Sequence, residues 1–95
     1  MDSVDFEWDD LKADSNYKKH GVRFTEAATV WSDDSAVEMT DPDHSEKEER
    51  WIRLGLSQNI RVLVVVYVEK VEGERVRIIS ARKAKPREIE QYNSR

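Results

Sequence analysis

Residues 51–81 read WIRLGLSQNIRVLVVVYVEKVEGERVRIISA, and the fold is decided there. Branched and aromatic side chains fit a pleated surface, and eleven of the sixteen valines and isoleucines lie between Ile52 and Ile79. The stretch divides into strands over Arg50–Ser57, Ile60–Glu69 and Arg75–Ala81, with Gln58-Asn59 and the Gly73 region as hairpin turns. A shorter strand over Ala36–Thr40 precedes them, joined by a polar loop, Asp41–Glu49, that Asp-Pro begins. Four antiparallel strands are therefore expected.

Helices flank this sheet in the pattern. Asp9 or Asp10 can cap a first helix whose last turn carries Lys18, Lys19 and His20, and Gly21 follows where a left-handed residue ends helices. Thr25 is the expected cap of a short second helix, Glu26–Trp31, which Asp33-Asp34-Ser35 terminates. Pro86 suits the first turn of a closing helix that runs to about Tyr92. The expected class is α+β: two N-terminal helices, a four-stranded antiparallel sheet and a C-terminal helix, in one domain over residues 1–95.

Composition narrows the function. The chain has 20 acidic and 16 basic residues and no cysteine, so it carries no disulfide framework, thiolate metal site or cysteine nucleophile. The longest apolar run, Val62 to Val68, is far shorter than the ~20 residues of a membrane span, and the acidic start lacks the parts of a signal peptide. A cytoplasmic protein with no membrane role is expected. The net charge of −4 hides an asymmetry, because residues 1–60 sum to −8 and residues 61–95 to +4. Basic groups gathered locally can hold a polyanion despite that total.

Strand parity supplies such a gathering. If the purely apolar sets share the face beneath the first two helices, Arg53, Arg61, Arg75 and Arg77 stand on the opposite face with Trp51 and Tyr67. Guanidinium forks suit phosphate oxygens and aromatic rings stack on unpaired bases, so that face would suit single-stranded RNA. A one-residue slip of register exchanges the two faces. The basic run Arg82-Lys83-Ala84-Lys85-Pro86-Arg87 adds cations at a helix N-terminus, where anions are favoured.

The common catalytic and cofactor motifs are absent, and neither a cofactor nor a metal is expected. His20 and His44 are the side chains that exchange protons near neutrality, and each has a plainer role as a helix cap or turn residue. Asp41, Asp43, His44 and Glu46 match no standard metal loop. Trp8 and Trp31 are expected in the core.

Several separated motifs resemble the BrnT family of bacterial toxins. They are Phe6-Glu7-Trp8-Asp9 with Lys12, Asn16, Lys19-His20-Gly21-Val22, Phe24 and Glu26-Ala27; then Asp41-x-x-His44-Ser45 and Glu48-Glu49-Arg50; then Arg77-Ile78-Ile79-Ser80-Ala81-Arg82-x-Ala84 with Glu88. The resemblance runs from Phe6 to Tyr92. It implies a RelE-like ribonuclease fold and a toxin that cuts RNA and halts translation. It also implies a BrnA-like antitoxin with a ribbon-helix-helix DNA-binding part, through which alone the complex would meet operator DNA. By this likeness Lys12, Lys19, His20, Arg50, Arg77, Arg82 and Tyr92 are the places to look for activity. His20, Arg50, Arg77 and Arg82 stand as catalytic candidates, with Glu49 as another proton carrier. Lys12, Lys19, Trp51, Arg53, Arg61, Tyr67, Arg75, Lys85 and Tyr92 stand as RNA contacts. A module that binds RNA or protein without catalysis would use the same face, and differs by leaving RNA uncut.

Overall fold

A computed structural model describes residues 4–41 and 48–94. The elements run β1 (Asp5–Glu7), α1 (Asp10–His20), α2 (Phe24–Ala28), a 3₁₀ turn (Thr29–Ser32), β2 (Val37–Thr40), β3 (Trp51–Leu56), β4 (Val62–Val71), β5 (Arg75–Lys83) and α3 (Pro86–Asn93). The sheet has five strands in the order β1-β5-β4-β3-β2. It is mixed rather than wholly antiparallel, because β1 pairs in parallel with β5 through Asp5↔Arg75, Phe6↔Val76 and Glu7↔Arg77. The expected four strands are all present, and β1 is the addition. Three residues paired with a strand some seventy positions away leave no local turn signal, which is why alternation along the sequence does not announce them.

Helix α1 has the expected ends. The Asp9 carboxylate accepts from the Leu11 and Lys12 amides at 2.9 and 3.1 Å, and Gly21 closes the helix at φ +70° while its N–H donates to the Tyr17 carbonyl at 2.8 Å. Helix α2 departs from expectation. It starts at Phe24 with Arg23 as the N-terminal flank, not at Thr25, and tightens into the 3₁₀ turn after Ala28. Burial decides the register, since Phe24, Ala27 and Val30 enter the core while Thr25 stays exposed.

The main core lies between these helices and the sheet, joining Val22, Phe24, Ala27 and Val30 to Leu63, Val65, Tyr67, Val76, Ile78 and Ala81. Trp31 stands edge-on to Phe6 and Tyr67, with ring centroids 5.1 and 4.8 Å away. Trp8 and Trp31 thus pack against the core as expected, partly buried. Gly55 lets β3 approach the 3₁₀ turn, because a Cβ there would sit 3.0 Å from the Val30 Cβ. A second, smaller cluster sits on the other side of the sheet, where Tyr92 of α3 packs on Leu54 and Val64. Among the described residues no helix is long and apolar enough to cross a membrane.

Candidate active site

Register settles which arginines share a face. Opposite residues in antiparallel strands point the same way, and Trp51↔Tyr67, Arg53↔Val65 and Gly55↔Leu63 form one set. That set contains Leu63, Val65 and Tyr67, the β4 side chains of the main core, so it lies beneath the helices. The expectation that Arg53, Arg61, Trp51 and Tyr67 form an open face is therefore overturned. The reason is visible in β4, whose two parity sets are both apolar and so cannot tell which face the helices cover.

The covered arginines are held by fixed partners. Arg53 lies 5.0 Å over the Trp31 ring, pairs with Glu38 at 3.0 Å and reaches the Val30 carbonyl at 3.4 Å. Tyr67 donates its hydroxyl to the same Glu38 carboxylate, and burial together with that carboxylate pushes its phenol well up. Arg61 forks onto Glu26 at 2.7 and 2.6 Å and donates to the Gly21 carbonyl at 3.1 Å. Its guanidinium holds the Glu26 carboxyl below the ordinary carboxylate range against the opposing effect of burial, and Ser57 adds a hydrogen bond at 2.7 Å. These are pins of the fold.

A different set converges on the opposite face. Val68 faces Arg77, Val66 faces Ser80 and Val64 faces Arg82, so these three β5 residues point the same way although 77 and 82 differ in parity. A bulge makes this possible. Tyr67 pairs with Ile78 and Val66 with Ser80, which leaves Ile79 without a partner and shifts the alternation by one. Arg50 prolongs the same face of β3, its carbonyl accepting from the Asp41 amide at 2.8 Å. Glu48 marks where the cations meet. It accepts from Lys70 at 2.6 Å, and its carboxyl is held low first by Lys70 and then by the fields of Arg50 and Arg77.

Two carboxylates orient the β5 arginines. Glu7 of β1 lies 3.1 Å from Arg77 and 4.0 Å from Arg75, all partly exposed. At the other end of the strand Arg82 forks onto Glu88 at 2.8 Å through both terminal nitrogens. Glu88 also accepts from the Lys85 amide at 2.8 Å, which ties the start of α3 to the strand. Arg82 is the main reason its carboxyl is held down to about 2. Lys85 itself is exposed. Tyr92 is only 8% exposed and donates to Asp33 at 2.5 Å, so it fastens α3 to the sheet rather than lying open to RNA.

Helix α1 reaches β5 from the side. Beyond Arg77 the strand has no β1 neighbour, and Asn16 takes that place: its amide donates to the Ala81 carbonyl at 2.8 Å and accepts from the Ala81 N–H at 3.1 Å. Lys12 and His20 lie one turn either side of Asn16 on the same stripe, Lys12 exposed and His20 half-buried. This stripe meets the strand next to Arg82, while Arg50 and Arg77 stand toward its other end. Lys19 is exposed on α1. His44, with Asp43 and Glu46, lies outside the described residues. Among the described residues no three histidines or carboxylates cluster as metal ligands would. Lys70 joins this candidate site with no signal in the sequence, whereas Glu7 and Glu48 stand in the stretches that resemble the family and are placed here by the register of β1 and by the ion pair with Lys70.

Comparison with known proteins agrees with this architecture. Among curated proteins, none matches the chain in sequence. A crystal structure of the Brucella abortus ribonuclease toxin BrnT is similar in fold, with a TM-score of 0.61 and 22% identity, covering 87% of this chain and 99% of that one. Residues 8–88 match the family described as the ribonuclease toxin, BrnT, of type II toxin-antitoxin systems. Most of the chain is thereby included, and it belongs to the BrnT family of ribonuclease toxins.

Proposed function

We propose that RNA is cut on the open sheet face, with Arg77 and Arg82 offsetting charge at the scissile phosphate and Arg50 and Lys70 holding the neighbouring backbone. The observation that supports this most is the bulge at Ile79, which turns two arginines of unlike parity, each about a third exposed, to the same face of the sheet. In this reading the RNA's own 2′-hydroxyl attacks the adjacent phosphorus. The new P–O2′ bond forms as the P–O5′ bond breaks, one proton leaves the hydroxyl and one reaches the departing oxygen. No metal is needed for that balance, and DNA, which lacks the hydroxyl, is not a substrate. Preorganised cations aimed at the developing charge are worth about 3–4 kcal/mol each in such a site.

His20 takes the proton-transfer role, because imidazole exchanges protons near neutrality and the α1 stripe ends beside the Arg82 end of β5. Glu49, exposed next to Arg50 toward the other end of the sheet, is an alternative proton carrier there and not a partner of His20 at the same phosphate. Exposed Lys12, Lys19, Arg75 and Lys85 would widen the cationic track for the chain of phosphates. The family's protein antitoxin would be BrnA-like, with a ribbon-helix-helix part carrying the complex to operator DNA, and the setting cytoplasmic. The chain would work as a single domain.

The test uses partner-free protein, RNA and excess chelator. Arg77→Ala and Arg82→Ala are each expected to slow cleavage about 10²–10³-fold with the fold retained. Undiminished cleavage in both variants would remove the assignment, and binding of RNA without shortening it would convert the protein to a binding module.

A further inference from the structure

The tip of the β3–β4 hairpin presents a residue where the backbone disfavours it. The Ser57 N–H donates to the Arg61 carbonyl and the Ile60 N–H to the Ser57 carbonyl, both at 2.9 Å, so Gln58-Asn59 turn the chain and the residue after them must be left-handed. Glycine or asparagine normally stands in that position. Here it is Ile60, at φ +61°, and it is the one non-glycine residue with positive φ among the described residues. A branched side chain there is strained against its own backbone. It is also 80% exposed, so the isolated chain gains nothing from its apolar surface. The sequence expectation that Ile60 opens a strand is corrected by the same observation.

The surroundings of the tip point to a partner. On one side lies a hollow of about 390 Å³ containing Arg23, which stacks 4.0 Å over Tyr17. On the other side lies a hollow of about 570 Å³ with Asp34 and the 38%-exposed Leu56 on its walls. Gln58 belongs to both. An exposed aliphatic knob at a turn whose neighbouring residues line an acidic and a basic hollow, though it lines neither itself, has the composition of a protein interface, apolar at the centre and polar at the rim. It does not suit RNA, because an isoleucine offers neither a ring to stack on nor a donor, and the carboxylate repels phosphate.

We infer that Ile60 is an anchor for the antitoxin, seated in an apolar socket that presents a basic group toward Asp34 and an acidic group toward Arg23. This rests on membership of a toxin family with a protein antitoxin. The anchor sits at the Val62 end of β4, about 20 Å along the strand from Val68 and the Arg77 that faces it, with Arg82, opposite Val64, nearer to it. The antitoxin therefore grips the toxin at the hairpin tip, at the Arg82 end of the sheet and away from Arg77.

Ile60→Gly and Ile60→Asn test this, since both residues accept a left-handed backbone. Partner-free protein is followed by thermal unfolding, RNA cleavage and affinity for the protein encoded by the adjacent antitoxin gene. The expected result is a Tm raised by about 4 °C or more, cleavage within twofold of the unaltered chain, and affinity reduced about ten- to a hundredfold. Asp34→Lys is expected to weaken the same affinity several-fold without touching cleavage. Antitoxin affinity unchanged in both Ile60 variants overturns the inference. Lost cleavage with affinity retained overturns it too, by assigning the tip to RNA. An unaltered chain that cuts RNA yet ignores the adjacent gene's product sinks the anchor and spares the nuclease. One that binds this product through Ile60 without cutting RNA sinks the nuclease and upholds the anchor.

Discussion

The two faces of one sheet use arginine in opposite ways. Beneath the helices Arg53 and Arg61 have every direction spoken for, by a ring, by backbone carbonyls and by carboxylates, one of which, Glu26, is itself buried. On the open face Arg77 and Arg82 lean on Glu7 and Glu88, which remain within reach of water. A carboxylate that water can solvate can give way to a phosphate, whereas a buried one cannot be abandoned without leaving an uncompensated charge. The same side chain thus serves stability on one side and, in the proposed mechanism, chemistry on the other: Arg61 is held by the buried Glu26, and Arg53, whose partner Glu38 is exposed, by its own burial over the Trp31 ring.

That contrast exposes the protein to specific failures. Deleting Ile79 would restore strict alternation in β5 and drive either Arg77 or Arg82 toward the core, and we expect no folded protein by circular dichroism, a loss beyond about 4 kcal/mol. Replacing Arg77 or Arg82 by alanine should cost about 3–4 kcal/mol of transition-state stabilisation but less than about 1 kcal/mol in urea unfolding, since both ion pairs are partly exposed. Arg61→Ala reverses that ratio. It should destabilise the fold by about 3 kcal/mol in the same unfolding assay, with cleavage of the folded fraction little changed.

The smallest effect concerns acid. The folded pKa of Glu88 is depressed to about 2, so its contribution is fully present above the unfolded value near 4.3 and fades as pH falls through the folded one. Glu88→Gln should remove about 1 kcal/mol at pH 7 and, between about pH 5 and 2, flatten the decline of the urea midpoint.

Much of the architecture is legible in the sequence because local chemistry announces it. Asp9 and Gly21 mark both ends of α1, Pro86 marks α3, and the density of branched residues marks β3 to β5. The faces are harder. Val62–Val68 is apolar at every position, so no alternation says which side is covered, and Trp51, Arg53 and Tyr67 go to the side opposite to the one expected. Yet β5 does carry a signal. Polar residues stand at 75 and 77, then at 80 and 82, and the slip between the pairs falls on the Ile78-Ile79 doublet where the bulge forms. The motif that resembles the family and the irregularity that aims the arginines are thus the same few residues. Glu7 and Glu48 stand in stretches that resemble the family, but their places beside Arg77 and Lys70, like that of Lys70 itself, come only through long-range pairing, which no local pattern encodes.

The parallel pairing of β1 with β5 bears on how the toxin is made. Glu7 and Arg77 are seventy positions apart, so this edge of the sheet closes across the longest loop in the molecule and gains its contacts late. On a translating ribosome the first strand emerges early and waits, unpaired, until nearly the whole chain has followed. The edge beside Arg77 is therefore completed only as the last strand arrives.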